Sequence, residues 1–208
     1  AIWSTWRGRV ERLLGVSELG IPGPHNVDNV LAAVAAICPL GTLDDEPGRQ
    51  AVAQALRDFQ GLEHRIEPAG TVNGRRFYND SKATNVDSMR QALLSFGHPL
   101  TVLAGGRDKH GDFPGLAKLA QERIDHLVLF GEAAPVIAQA WPRIPQERAS
   151  GLEDAVRRAY RATPEGGVIV LSPGCASFDM FRDYEDRGRQ FKAQVKKLAE
   201  RVARGEAS

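Results

Sequence analysis

The stretch F-Y-N-D-S-K-A-T-N, from Phe77 to Asn85, marks the point where a predicted strand ends and a predicted helix begins. Two aromatic residues open it, and an acid, a lysine and small hydroxyl and amide side chains follow. Apolar residues then return at Val86, Met89 and Leu93, a spacing that predicts an amphipathic helix. The junction therefore holds side chains that bind ligands better than they pack.

Short apolar runs after this junction alternate with helical patterns. Such continuous runs are typical of strands that are buried on both faces of a parallel sheet. The runs are Leu100–Ala104, Leu127–Phe130 and Val168–Leu171. Asn73-Gly74 predicts a tight hairpin just before the junction. The alternation predicts an α/β fold with a mainly parallel sheet from about Arg65 to the end of the chain.

The part of the chain before Arg65 follows a different pattern. Two amphipathic helices are predicted there, with apolar faces that include Val27, Val30, Leu31 and Val34 in the first and Val52, Leu56 and Phe59 in the second. I-P-G-P at Ile21–Pro24 predicts a turn before the first helix. The segment before that turn fits either a strand or a helix.

The composition limits the classes of function. The chain has 208 residues, 42% of them hydrophobic and 25% charged, as in ordinary globular proteins. A net charge of +1 gives no basic field for nucleic acid, and no apolar run is long enough to cross a bilayer. Cys38 and Cys175 form no disulfide framework, so two free thiols indicate a reducing cytoplasm.

Three loops are expected at one edge of the sheet, because ligands of open α/β sheets bind beyond the carboxyl ends of the strands. The loops are the junction after Phe77, Ala104–Phe113 and Ser172–Phe181. Together they would present Lys82, Lys109, Thr84 and Ser177 beside helix N-termini. Cations, hydroxyls and N-terminal amides bind anions, which predicts a site for a small acid or a phosphate.

Plainer interpretations of the same residues remain open. Thr84, with Asp87 three residues later, or Asn85 could simply cap a helix, and Lys109 could be a solvated lysine. Cys175 could be a nucleophile, but no G-x-S-x-G elbow surrounds it, so an inert thiol is favoured. The five histidines have no metal-binding spacing, so we expect no metal site built from this chain alone.

Several motifs, in the same order along the chain, resemble the Mur ligase family, and within it the enzymes that add D-glutamate. They are G-P-H-N-V-D-N (Gly23–Asn29), G-L-E-H-R (Gly61–Arg65), N-D-S-K-A-T-N (Asn79–Asn85), L-A-G-G-R-D-K (Leu103–Lys109) and the long segment from Leu171 to Phe191. The resemblance covers about Leu19 to Lys197. It implies a Rossmann-like C-terminal domain over residues 63–208, preceded over residues 1–62 by the helical end of a Mur ligase central ATPase domain.

The resemblance also implies a reaction. Such enzymes use ATP and Mg²⁺ to form an amide between the carboxylate of UDP-N-acetylmuramoyl-L-alanine and D-glutamate, through an acyl phosphate, in peptidoglycan synthesis. The glycine-rich phosphate loop of the family is missing from this chain, and its magnesium ligands are expected in a missing part. The chain is therefore expected to be an incomplete, inactive portion of a cytoplasmic, monomeric enzyme.

Roles follow from the resemblance, position by position. Asn26, Asn29, Arg65 and Asp80 would bind ATP, and Lys82 and His64 would shape the catalytic cleft. Thr84, Lys109, Ser177 and the backbone near Tyr184 would hold the carboxylates of D-glutamate. Tyr184 replaces the usual Phe, and Arg107 stands where others often have Asp, which leaves its role open.

Two other interpretations of the chain are kept. One is a sister Mur ligase or a folylpolyglutamate synthase-like ligase that takes a different amino acid. The other is a module that binds an acidic ligand or a nucleotide without catalysis, in which Asn26 may be no more than a helix cap, Arg65 a surface residue and Asp80 a turn cap.

Overall fold

A computed structural model describes residues 1–6, 8–21 and 24–206. The chain divides into two compact units, residues 1–61 and 62–208. Their assignment to the domains of a larger ligase stays a prediction. No helix in the described ranges is both long and apolar enough to cross a membrane.

The N-terminal unit combines a β-hairpin with two helices. Its elements are β1 (Ile2–Trp6), β2 (Arg9–Leu14), α1 (Pro24–Ile37) and α2 (Glu46–Asp58), with 3₁₀ turns at Val16–Glu18 and Cys38–Leu40. The segment before the predicted turn, which fitted either a strand or a helix, contains the antiparallel strands β1 and β2. Both helices were predicted, but Leu31 and Phe59 are 44% exposed and do not belong to the apolar core that contains Val30 and Val34. Pro22 and Gly23 of the predicted turn lie outside the described residues.

The C-terminal unit contains a six-stranded sheet with helices between its strands. Its strands are β3 (Glu67–Val72), β4 (Arg75–Asn79), β5 (Leu100–Gly105), β6 (His126–Phe130), β7 (Gln146–Arg148) and β8 (Val168–Leu171). Its helices are α3 (Val86–Ser95), α4 (Phe113–Arg123), α5 (Ala134–Ala140), α6 (Leu152–Ala162) and α7 (Tyr184–Ala203). The strand order is β3-β4-β8-β5-β6-β7, and β3 alone runs antiparallel to its neighbour in this sheet.

The sheet has an apolar core on each face, which confirms the predicted α/β fold. Val102 of β5 packs in the core that also contains residues of α3, α4 and α5, whereas its neighbour Leu103 packs with residues of α6 and α7. Both faces are buried because successive side chains of a strand point to opposite sides. This explains the unbroken apolar runs in the sequence. Asn73 and Gly74, both with positive φ, form the predicted hairpin turn between β3 and β4.

The parallel strands β4, β8, β5 and β6 end at the same edge of the sheet, which we call the carboxyl edge. The connections from β4 to β5 and from β7 to β8 place β8 between β4 and β5. The sheet order therefore brings the loops after β4, β8 and β5 side by side at the carboxyl edge, as the sequence predicted. Such a change in strand order creates a crevice in open α/β sheets.

Gly105, the last residue of β5, lies at the carboxyl edge where the packing leaves no room for a side chain. Its φ is +138°, and a Cβ there would collide with the backbone carbonyl of Phe130 in β6. We expect Gly105→Ala to lower the free energy of unfolding by at least 1–3 kcal/mol, roughly the cost of such backbone strain alone. Urea unfolding would measure it. Gly97→Ala is the matched control, because a Cβ at Gly97 meets nothing within 4 Å. Equal stabilities of the two variants would contradict the packing described.

Candidate functional site

Main-chain hydrogen bonds join the three loops at the carboxyl edge. The Gly174 amide donates to the Ala83 carbonyl at 2.9 Å, which links the loop after β8 to the loop after β4. The Arg107 and Ala176 backbones exchange hydrogen bonds of 2.8 and 3.0 Å, which link the same loop to the one after β5. The three loops are therefore one connected structure.

Thr84 is not the cap of the helix that follows it. The Asn85 side chain accepts a 2.8 Å hydrogen bond from the Ser88 amide and caps α3. The capping interpretation thus holds for Asn85 and is wrong for Thr84. The half-buried Thr84 uses its amide to reach the Lys82 carbonyl, and its hydroxyl bonds to no residue in the described ranges.

Two lysines of the site contact aromatic rings rather than carboxylates. Lys82 Nζ lies 5.7 Å from the centre of the Tyr184 ring, and Lys109 Nζ lies 5.9 Å from that of Phe178. Neither ammonium has an ion-pair or hydrogen-bond partner within the part of the chain that the structure describes. Lys109 is exposed and Lys82 half-buried, so each leaves its charge available to a ligand.

Ser177 lies in the loop after β8, directly before Phe178. Its side chain is buried, with 2% exposure, and its carbonyl accepts hydrogen bonds from the Met180 and Phe181 amides. Its hydroxyl has no partner among the described residues. The sheet order and the loop contacts therefore bring Thr84, Lys109 and Ser177 onto neighbouring loops.

Asp80 is buried and ties segments of the C-terminal unit together. Its Oδ2 accepts from the Ser172 hydroxyl at 2.8 Å, and its Oδ1 accepts from the Ile66 amide at 3.3 Å. Ile66 has φ +47°, an unfavourable conformation for a β-branched residue, and this hydrogen bond helps hold it there. Burial raises the pKa of Asp80 to about 7, although the hydrogen bonds from Ser172 and Ile66 oppose the rise. The turn-cap interpretation of its side chain is wrong.

His64 is buried with a defined tautomer. Asn79 accepts from the Ser81 amide through its Oδ1 and donates to Glu67, so its Nδ2 faces His64 Nδ1 at 2.9 Å. Nδ1 must accept this hydrogen bond, which leaves the hydrogen on Nε2. Nε2 is buried without a partner among the described residues, 3.5 Å from a carboxylate oxygen of Glu63. His64 therefore offers one oriented donor.

Glu63, His64 and Glu67 also have the ligand types of a metal site, with their ligand atoms within 4.8 Å of one another. Lys192 Nζ, however, lies 2.8 Å from a carboxylate oxygen of each glutamate and supplies the positive charge there. The tautomer of His64 also turns a hydrogen, not a lone pair, toward Glu63. The cluster is better described as an ion-pair network than as a metal centre.

Tyr184 begins α7 and meets both His64 and the loop after β4. Its carbonyl accepts a 2.8 Å hydrogen bond from the Ser81 hydroxyl, and its ring lies edge-on to His64 at 6.0 Å. Arg65 is exposed, and the structure gives its guanidinium no hydrogen-bond partner among the described residues. Exposure agrees with the surface interpretation and equally with binding of a ligand.

Asn26 and Asn29 lie in α1 of the N-terminal unit. Asn26 lies in the first turn of α1, which begins at Pro24, and its interpretation as a cap stays a prediction. The Asn29 amide donates to Asn26 Oδ1 at 3.2 Å, so the two side chains form one polar pair on the helix.

Cys175 is not an activated nucleophile. The side chain is buried, and burial raises the pKa of its thiol to about 12. The thiol therefore stays protonated at neutral pH, which agrees with the inert interpretation.

Comparison with known proteins places this arrangement in a family. Residues 64–175 match the family model described as "Mur ligase, glutamate ligase domain". The chain belongs to the Mur ligase family. It is 40% identical over 200 residues to the UDP-N-acetylmuramoylalanine–D-glutamate ligase of Caldicellulosiruptor bescii and 44% identical over 200 residues to that of Geotalea uraniireducens. These alignments cover 95% and 96% of the chain but 43% of each relative, so the chain spans less than half the length of these Mur ligases.

Solved structures agree on the fold. The Mur ligase MurC of Thermotoga maritima superposes with a TM-score of 0.62 over 86% of this chain and 39% of its own, at 19% identity. The folylpolyglutamate synthase of Mycobacterium tuberculosis complexed with ADP gives a TM-score of 0.60 over 85% of this chain and 41% of its own, at 17% identity.

Sequence reasoning missed Arg187, a fully buried arginine of this Mur ligase chain. Arg187 precedes Phe191, Val195 and Leu198 at helical spacing, and all three belong to the core under α7. An arginine on the apolar face of a helix is a signal that could have found it. Gly188 was missed too: a Cβ there would collide with His64 Nδ1, so α7 approaches the histidine closely because this residue is glycine.

The raised pKa of Asp80 predicts how stability depends on pH. The ordinary value is 3.8 and the folded value is about 7, so the folded state holds this proton more tightly than the unfolded chain does. Stability is therefore lost as the pH rises from about 4 to about 7. Asp80→Asn removes the ionisation, so we expect the variant to gain on the order of 2 kcal/mol relative to the parent between pH 5 and pH 8.

Urea unfolding of both proteins at the two pH values measures the change. Ser172→Ala provides the internal check, because it removes a hydrogen bond that lowers the pKa of Asp80 and should steepen the loss at high pH. A difference between Asp80→Asn and the parent that stays constant from pH 5 to pH 8 would show that Asp80 is ionised throughout this range.

Proposed function

We propose that this chain is the C-terminal portion of an ATP-dependent ligase that joins D-glutamate to UDP-N-acetylmuramoyl-L-alanine. The names of the similar relatives support the choice of substrates. The observation that carries the proposal is the set of polar groups without partners at the carboxyl edge: the hydroxyls of Thr84 and Ser177 and the ammonium groups of Lys82 and Lys109, considered among the described residues.

These groups suit a small dianion. Two carboxylates need several donors and positive charge, and a hydroxyl or ammonium that already has a protein partner would first have to give it up. In the proposal, Lys109 and Thr84 bind one carboxylate of D-glutamate. Ser177 and the backbone at the start of α7 bind the other, where the helix N-terminus favours negative charge. The amino group is left free to attack the activated acid.

Nucleotide binding is proposed as a second property of this chain. Arg65 offers an exposed cation to the nucleotide, and His64, whose buried Nε2 lies 3.5 Å from a carboxylate oxygen of Glu63, would help shape the cleft. Contact of Asn26 and Asn29 with adenine stays a separate prediction for the N-terminal unit. Asp80 would contact the ribose in addition to its internal hydrogen bonds. ATP, when bound, supplies the phosphoryl group that activates the acid. Related folds support this, since folylpolyglutamate synthases were solved with ADP and with AMPPNP and a Mn ion.

The sequence of this chain has no G-x-x-x-x-G-K-[ST] loop to hold the phosphates. Phosphate and Mg²⁺ binding are therefore assigned to other parts of the ligase. The cytoplasmic location and the monomeric state stay predictions.

Phosphate release by the full-length ligase that contains this chain tests the function. We expect release to require ATP, UDP-N-acetylmuramoyl-L-alanine and D-glutamate together, and L-glutamate to give no comparable rate. Release driven by another amino acid or by a folate acceptor would instead indicate a sister ligase. Binding of D-glutamate or nucleotide without any release would indicate a non-catalytic module.

Removing a donor from the proposed D-glutamate site should weaken binding of that substrate. We expect Lys109→Met and Thr84→Val each to raise the KM for D-glutamate roughly tenfold or more, since a hydrogen bond to a charged group contributes about 1.5–3 kcal/mol. Initial rates at saturating ATP would measure this.

Lys118→Met is the matched control, because this lysine is exposed like Lys109, lies in α4, and has no role in the proposal. An unchanged KM for D-glutamate in both site variants would refute the assignment of Lys109 and Thr84.

A further inference from the structure

Arg187 is a fully buried guanidinium in the first turns of α7, at 0% exposure. It makes no ion pair with a carboxylate in the ranges that the structure describes. Burial lowers the pKa of Arg187 to about 10, which still leaves it charged at neutral pH. A buried charge is costly unless hydrogen bonds compensate it, so its partners indicate why an arginine is present.

Its partners are two of the three loops. Nε donates to the Ser81 hydroxyl at 2.9 Å, and Nη2 donates to the Ser81 carbonyl at 2.8 Å. Nη1 and Nη2 both donate to the Cys175 carbonyl at 3.1 Å. One planar group thus joins the loop after β4 to the loop after β8.

The third loop lies against the same group. A Cβ on Gly106, after β5, would lie 3.1 Å from Arg187 Nη1 and would also collide with the Ala176 carbonyl. The Ser81 hydroxyl in turn donates to the Tyr184 carbonyl, which ties the guanidinium to the start of α7. The elements that carry the proposed D-glutamate ligands thus meet at Arg187 and Ser81.

The two loops that Arg187 joins carry different ligands. Thr84 follows Ser81 by three residues, and Ser177 follows Cys175 by two. A substrate held by Thr84 on one loop and Ser177 on the other depends on the distance between the loops. The affinity for a ligand that only one of the loops holds depends less on the distance between the loops.

We propose that Arg187 is a positioning residue that sets the separation of Thr84 and Ser177 and thereby the affinity for D-glutamate. The proposal rests on the function proposed above. In the proposal Arg187 touches no substrate; it acts through the hydroxyl and carbonyl of Ser81 and the carbonyl of Cys175. The geometry of its fork matters as much as its charge, because a lysine ammonium cannot reach both carbonyls and the hydroxyl with the same planar arrangement.

The test uses the full-length ligase and three variants. Arg187→Lys keeps the charge and loses the fork, Arg187→Ala loses both, and Ser81→Ala removes one partner. We expect Arg187→Lys to raise the KM for D-glutamate roughly tenfold or more, since a small misplacement of a binding group has large effects. The KM for ATP should change by a clearly smaller factor. Combined with Arg187→Lys, Ser81→Ala should add less than its effect alone.

Guanidinium rescue separates positioning from loss of folding. Millimolar guanidinium chloride should lower the KM for D-glutamate of Arg187→Ala by filling the vacated space, whereas equal sodium chloride should not, and Thr84→Val should not respond. Circular dichroism and thermal melting identify variants that fail to fold. If Arg187→Ala does not fold, the decision rests on Arg187→Lys and Ser81→Ala.

The outcomes distinguish the two proposals. If the parent enzyme shows no release of phosphate that depends on D-glutamate, the proposed function fails and the role of Arg187 fails with it. If the parent responds but Arg187→Lys keeps the parental KM for D-glutamate, the positioning role alone is overturned. Equal increases in the KM for D-glutamate and for ATP, without guanidinium rescue, would likewise overturn it and indicate general structural support.

Discussion

The loop after β8 places irregular backbone in the interior of the protein, and the site depends on how that backbone is satisfied. Every residue from Ser172 to Ser177 is buried. Buried amides and carbonyls outside regular structure need partners, because each unpaired group costs free energy. The Ser172 amide donates to Leu103, the Pro173 carbonyl accepts from Gly105, and the Gly174 amide donates to Ala83. The amides and carbonyls of this loop find their hydrogen-bond partners in neighbouring segments, so the loop fixes the positions of those segments.

The same constraint explains two buried charges of the unit. The Cys175 carbonyl receives the guanidinium of Arg187, and the Asp80 carboxylate receives the Ser172 hydroxyl. Both side chains bond to polar groups of the loop after β8. The charge of Arg187 also favours the ionised form of Asp80. The raised pKa of Asp80 shows that this compensation is incomplete. Arg187 and Ser172 thus pair inner polar groups of the loops, whereas the hydroxyls of Thr84 and Ser177 and the ammonium groups of Lys82 and Lys109 have no partner among the described residues.

The sequence pattern predicted the features that depend on neighbouring residues, namely the buried strands and the hairpin turn. The buried strands appear as apolar runs, and Asn73-Gly74 defines a hairpin because both residues accept positive φ. β7 has three residues, Gln-Glu-Arg, with no apolar run, and its pairing with β6 comes from the tertiary fold. Local pattern alone did not decide between Thr84 and Asn85 as the cap, since both residue types are common at N-caps, although asparagine is the more favoured. The partners of Arg187 could not be predicted because they are main-chain groups of distant loops.

At Arg107 and Tyr184, where the resemblance predicts a departure from the usual family residue, the backbone rather than the side chain connects the loops. Arg107 contributes its amide and carbonyl to the pairing with Ala176, and its guanidinium lies outside in an exposed ion pair with Glu132. Exposed pairs contribute little to stability, so the side chain at this position can vary. Tyr184 contributes its carbonyl to Ser81 and the face of its ring to Lys82, both of which phenylalanine also provides. Ser81, Arg187 and Gly188 act through their side chains or through the absence of one, so substitution at these three positions should be tolerated least.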